Sequence, residues 1–135
     1  MNAITTTYLE MTKETHVRRK GCEDPRFRIL EARVNEWRFN RFLYVLIGEK
    51  WAWEDKLPWS DDQWRAYVED DTLRTFVAYY DGAVAGYFEL SENDGAVEIV
   101  YFGMAPAFIG QGFGGALLTR ALEEAWRMKP SRVWV

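Results

Sequence analysis

"IGQGFGGALLTRALEEAW", residues 109–126, decides how the rest of the chain is read. Gly110, Gly112, Gly114 and Gly115 are crowded together and give way directly to a helical pattern. Glycine in an ordered element costs about 0.5–1 kcal/mol relative to alanine, so this crowding calls for a physical reason. The first-turn amides of a helix have no partners inside the helix, and the aligned peptide dipoles leave roughly half a positive charge there. Glycines let a phosphate reach those amides with no Cβ in the way. The stretch therefore reads as a cradle for a phosphate-bearing ligand. Behind it, Leu117, Leu118, Ala121, Leu122 and Ala125 form an expected buried stripe, Arg120, Glu123, Glu124 and Arg127 are expected to face water, and Pro130 ends the helix.

Upstream the period is two. "TFVAYY" (75–80) and "AVAGYFEL" (83–90) flank Asp81-Gly82, a strong hairpin signal. "SENDG" (91–95) makes a second turn into "AVEIVYFGM" (96–104), which predicts a three-stranded antiparallel meander. This context excludes two other glycine cradles. Gly115-Ala116-Leu117 lacks the Lys-Ser/Thr ending of a nucleotide-triphosphate loop, and a dinucleotide fingerprint needs an early parallel βαβ unit with an acid further on.

Before the meander, "ITTTYLEM" (4–11) and "FRILEARV" (27–34) predict strands on either side of a charged loop (13–26). Phe39, Phe42, Leu43, Leu46 and Ile47 fall on one stripe of a helix that Gly48 would stop, and Ser60-Asp61-Asp62-Gln63 is a capping box opening a second helix. "SRVWV" (131–135) reads as a final buried strand, expected at a sheet edge or in a fragment of a longer protein.

The 135 residues suffice for one domain with a true core, and net charge is −4. An acidic chain with no long basic block argues against nucleic acid as a partner. The absence of a signal-like or membrane-length apolar run argues against a membrane and makes the cytoplasm the expected compartment. Cys22 is the only cysteine, His16 the only histidine, and no His/Cys/carboxylate cluster has metal spacing, so no metal is expected.

Met104-Ala105-Pro106 followed by the run from Ile109 to Leu118 resembles motif A of the GCN5-related N-acetyltransferases. The resemblance is close over the glycine stretch and extends in outline over the chain. It implies an α+β fold of that type: a mixed, mainly antiparallel sheet with helices packed on it, here as a single domain that stops short of the family's C-terminal part. It also implies acetyl-CoA as co-substrate. Gly110, Gln111, Gly112, Gly114 and Gly115 would offer amides to the diphosphate, and the backbone of Phe102, Gly103 and Met104 would pair with the pantetheine arm. Ile109 stands where the family usually has Arg or Gln, and Gln111 where Lys is frequent. With no cation in the loop, binding would rest on amides and the helix dipole.

Amine acetylation needs a neutral amine and a group to take its proton. Glu98, on the same strand, matches the spacing of the general base in the histone-acetylating branch of the family. Strand alternation would put it on one face with Val100, Phe102 and Met104. The family's general acid is a Tyr on a helix beyond residue 135, so no residue takes that role; Tyr80 and Tyr101 read as structural aromatics. "WAWEDKLPWSDDQW" (51–64) could line an acceptor pocket through Trp51, Trp53 and Trp59, with Glu54 or Asp55 attracting an amine, or be a loop pinned by its tryptophans. The expected function is transfer of an acetyl group to a primary amine, on a small molecule or peptide, by direct attack. The alternative is a non-catalytic acyl-CoA-binding or interaction module. An unfinished sheet edge would permit a homodimer.

Overall fold

The computed structural model describes residues 9–17 and 19–135. Most of the predicted strand at 4–11 lies outside the described residues, as does the side chain of His16; what is described of that strand is β1, Glu10–Met11. The elements that follow are β2 (Phe27–Glu31), α1 (Trp37–Gly48), α2 (Asp61–Val68), β3 (Leu73–Tyr80), β4 (Ala83–Asn93), β5 (Ala96–Met104), α3 (Gly114–Arg127) and β6 (Arg132–Trp134).

The meander forms as its turns dictate. Asp81 and Gly82 have φ of 49° and 92°, and Asp94 and Gly95 have φ of 51° and 78°. Both pairs thus adopt the doubly left-handed geometry whose twist matches antiparallel strands. Because only Asp94-Gly95 turns, β4 runs to Asn93 rather than ending at Leu90.

Six strands make one sheet in the order β1-β6-β5-β4-β3-β2, antiparallel except between β5 and β6, which α3 connects. A parallel pair needs such a crossover, and the helix supplies it. The fold is α+β with a mixed, mainly antiparallel sheet, as the sequence implied. β6 is not at the edge: β1 covers its outer side, with Glu10 opposite Trp134, and Leu9 and Val135 exchange two backbone hydrogen bonds of 3.1 and 2.9 Å.

Helices cover both faces. α3 packs on Phe76, Phe88, Leu90, Val97 and Ile99 through Leu117, Ala121 and Ala125. Fully burying a side chain such as Leu117 contributes about 2 kcal/mol. The stripe is rotated from the expected one: Leu118 is 44% exposed, whereas Glu124 is buried between Arg120 (3.7 Å) and Arg127 (2.5 Å). The other face is covered by α1 and α2. Here too the amphipathic reading shifts, because α1 packs on the sheet and on α2 at once. Trp37, Asn40, Leu43, Tyr44 and Ile47 are buried, and Phe42 is exposed. Gly48 does not act as a left-handed stop. It lies under Trp53, whose Cε3 would sit 2.6 Å from a Cβ there.

Candidate functional site

The segment between β5 and α3 is built to leave amides uncovered. Pro106–Phe108 makes a single 3-10 turn, Gly110 and Gly112 take φ of 81° and 88°, and α3 opens at Gly114 with Phe113 as its N-cap. Phe113 provides no capping side chain, the first turn carries no acid, and Phe113 itself is fixed in the core, stacked 4.9 Å from Phe27. Among the described residues, no protein acceptor meets the amides of Gly110, Gly112, Gly114 or Gly115, whereas Ile109 (ψ 135°) and Gly110 (φ 81°) form a turn that directs the Gln111 amide back toward Phe108. Nothing lies within 4 Å of where a Cβ on Gly110, Gly112 or Gly114 would be. Gln111 turns its side-chain amide inward to donate to the Ala107 carbonyl (2.8 Å). Positive φ, free amides and open space fit an anionic diphosphate.

A cavity of about 260 Å³ adjoins the loop and is lined by Phe102, Gly103, Met104, Gly110 and Gly114, with Trp51, Phe108 and Ile109. The structure thus gathers five of the eight expected cofactor positions around one cavity; Gln111, Gly112 and Gly115 lie outside its lining. Gly103 is small for a reason the sequence reading did not give. A Cβ there would stand 2.7 Å from Cγ2 of Ile47, so the close approach is that of α1.

β5 is paired on one side only over much of its length. β6 pairs with Ala96, Val97 and Glu98 and no further, while β4 pairs on the other side as far as Met104. Between Ile99 and Tyr101 the register with β4 slips, Ile99 facing Leu90 and Tyr101 facing Glu89, which leaves Val100 as a β-bulge. A bulge adds one residue and reverses the alternation beyond it. This corrects the face expected for Glu98. Phe102 and Met104 lie on the α3 side with Val97 and Ile99, so Glu98 shares the α1–α2 side with Tyr101 and Gly103. Glu98 does not line the cavity. It stands roughly 13–16 Å along the strand from Phe102 and Gly103, where the unpaired edge of β5 ends. Partial burial raises its carboxyl above the ordinary 4.5, against the pull of Lys56.

The sequence reading missed what surrounds Glu98. Lys56 is buried, its Nζ donating to the Tyr101 hydroxyl (2.8 Å), paired with Asp55 (3.3 Å) and lying 4.4 Å from the ring centre of Trp59 and 4.8 Å from that of Tyr67. The Tyr101 hydroxyl donates to Asp55, as does that of Tyr44 (2.9 Å). Burial raises the Asp55 carboxyl, but the hydrogen bonds from Tyr101 and Tyr44 and the charge of Lys56 outweigh it, and the net shift is downward. Burial pushes Tyr101 up and Tyr44 to about 12. Glu89, fully buried, accepts from Tyr67 (2.5 Å) and Asn40 (2.8 Å), and burial raises its carboxyl. An acid inside the apolar run 83–90 was the available signal for that cluster. In the stretch 51–64, which runs from a loop into α2, Trp53 and Trp59 are packed among other aromatics, while Trp51 is 54% exposed beside the cavity. Tyr80 is structural: it packs on Phe113 and donates to Asp24 (2.9 Å).

The chain is thus an α+β protein whose mixed sheet bulges and loses one partner at its fifth strand, beside an uncapped, glycine-led helix. Residues 29–135 match the model of the acetyltransferase (GNAT) family, and the chain belongs to that family. Three similar solved structures agree with the fold. One is an aminoglycoside acetyltransferase from an uncultured soil metagenomic sample, 14% identical with a TM-score of 0.64, the match covering 78% of this chain and 74% of that one. An IAA acetyltransferase from Bacillus cereus is 25% identical (TM-score 0.54, 76% of this chain and 61% of that one). A GNAT family acetyltransferase from Elizabethkingia anophelis, solved with acetyl-CoA bound, is 20% identical (TM-score 0.56, 79% of this chain and 62% of that one). The match thus spans about three-fifths of the length of the latter two. Comparison with curated proteins finds no match. No helix among the described residues is long and apolar enough to cross a membrane.

Proposed function

We propose that the chain is an N-acetyltransferase that moves an acetyl group from acetyl-CoA to a primary amine by direct attack, with Glu98 as general base. The observation that carries this reading is the uncapped start of α3 lying at the end of the half-unpaired strand β5. Amides of Gly110, Gln111, Gly112, Gly114 and Gly115 would hold the diphosphate. The unpaired edge through Phe102, Gly103 and Met104 would take the amide-bearing arm as an added strand, as open edges do. Acetyl-CoA supplies an activated acyl group on a thiol leaving group. An arm starting at the glycine loop and following β5 runs toward the bulge, and so toward Glu98. There the carboxylate receives the proton of the attacking amine, directly or through one water.

The test is thiol release from acetyl-CoA with a panel of primary amines. Glu98→Gln is expected to lower kcat/KM by about 100-fold or more and to leave acetyl-CoA affinity unchanged. A base works only when ionised. Since the Glu98 carboxyl is raised, wild-type kcat/KM should fall as pH drops through that raised value, and the variant should lack this acid limb. Thermal protection by CoA without thiol release for any amine would instead establish a binding module.

A further inference from the structure

The glycine loop carries no cationic side chain, yet the structure brings one to it from elsewhere. The loop ahead of β2 crosses α3, where the Lys20 amide donates to Oγ1 of Thr119 (2.8 Å) and the Thr119 hydroxyl donates to the Gly115 carbonyl (2.9 Å). From that anchor the lysine side chain runs over the first turn. A Cβ on Gly115 would lie 2.6 Å from Lys20 Cδ and 3.5 Å from Nζ, so the fourth glycine of the run leaves room for the lysine stem. Among the described residues no carboxylate pairs with Lys20. A cation at the positive end of a helix is placed against the dipole; Glu123 lines the same cavity as Lys20 without forming an ion pair with it, and a bound anion would offset the repulsion.

We infer that Lys20 is the cation of the diphosphate cradle, supplied from the N-terminal loop in place of the side chains missing at Ile109 and Gln111. This rests on the acetyl-CoA reading above and adds to it a residue outside the glycine motif. The ammonium and the free amides of α3 would close on the diphosphate from two directions, and Thr119 is the positioning residue that holds the lysine backbone to the helix.

Calorimetric titration with CoA, 3′-dephospho-CoA and pantetheine tests this without turnover. Lys20→Ala should weaken CoA by about tenfold, the scale of one charge-assisted contact, and 3′-dephospho-CoA by the same factor. It should flatten the salt dependence of both and leave pantetheine unaffected. Lys20→Arg should recover most of the affinity, and Gly115→Ala, which displaces the stem, should lose part of it. The exposed lysine buries little and stands against the dipole, so Lys20→Ala without ligand should melt at or slightly above the wild-type temperature. Equal CoA affinity in wild type and Lys20→Ala overturns this inference and leaves the acetyl-CoA reading standing. A loss confined to CoA and absent with 3′-dephospho-CoA also overturns it, since the lysine would then serve the 3′-phosphate. A wild type that takes up no CoA overturns both.

Discussion

Two helices of this chain begin in opposite ways. At α2, Ser60 Oγ accepts from the Gln63 amide (3.2 Å), Gln63 Oε1 accepts from the Ser60 amide (2.8 Å), and Asp61 and Asp62 lie in the first turn. Orphan donors and dipole are both satisfied by the protein's own groups. At α3 the N-cap is a core phenylalanine, no acid stands in the first turn, and glycines lead in. The charge that lies against its first turn is a lysine, of the wrong sign for the dipole. Four consecutive residues close one helix start internally, whereas the other is left open. The difference teaches where to look for function: at the helix that local physics leaves unfinished.

The strongest way to break this contrast is to finish α3. Gly114→Asp places a carboxylate at the first helical position, where nothing obstructs a Cβ. Without ligand the variant should melt at or above the wild-type temperature, because it replaces a helical glycine and favours the dipole. Its acetyl-CoA affinity should fall by about 100-fold, as a like charge meets the diphosphate. Melting curves with and without CoA read both effects. Equal affinity would remove the anion role from this turn.

The converse change opens α2. Ser60→Ala should cost about 1 kcal/mol of stability in a denaturant titration while acetyl-CoA affinity stays at the wild-type value. A loss of affinity here would mean that the two helix starts are coupled and that α2 belongs to the site.

These two starts were legible in the sequence because their signals are local: a capping box within four residues, glycines within six. The Asp81-Gly82 turn was legible for the same reason, whereas the second turn was read over 91–95 and closes on Asp94-Gly95 alone. What was not legible depended on distant partners. Val100 carries no mark of a bulge, since a β-branched residue suits a regular strand as well, and that one residue decides which face Glu98 shares. The register with β4 and the end of pairing with β6 impose it. The rotation of α1 follows from Asn40 meeting Glu89 and Tyr44 meeting Asp55, contacts that no hydrophobic stripe announces. Lys20 reaches Gly115 only because its loop crosses α3 at Thr119, far along the chain. The glycine count therefore had three roles folded together. Gly110 and Gly112 serve backbone geometry and Gly114 open space, while Gly115 admits a lysine.

Salt gives the gentlest and most selective test of the same contrast. The Ser60–Gln63 box is made of uncharged groups, so the stability difference between wild type and Ser60→Ala should stay constant as ionic strength rises. On the proposed reading the α3 turn acts on a charged ligand through a dipole and one ammonium, both at the surface, where charges separated by more than a Debye length, about 10 Å at 0.1 M salt, are screened. Acetyl-CoA affinity should accordingly drop by roughly two- to fivefold between low and moderate salt, and Lys20→Ala should lose most of that dependence. Parallel salt responses at the two helices would mean that α3 is held by neutral contacts, and that its open amides are not what binds the diphosphate.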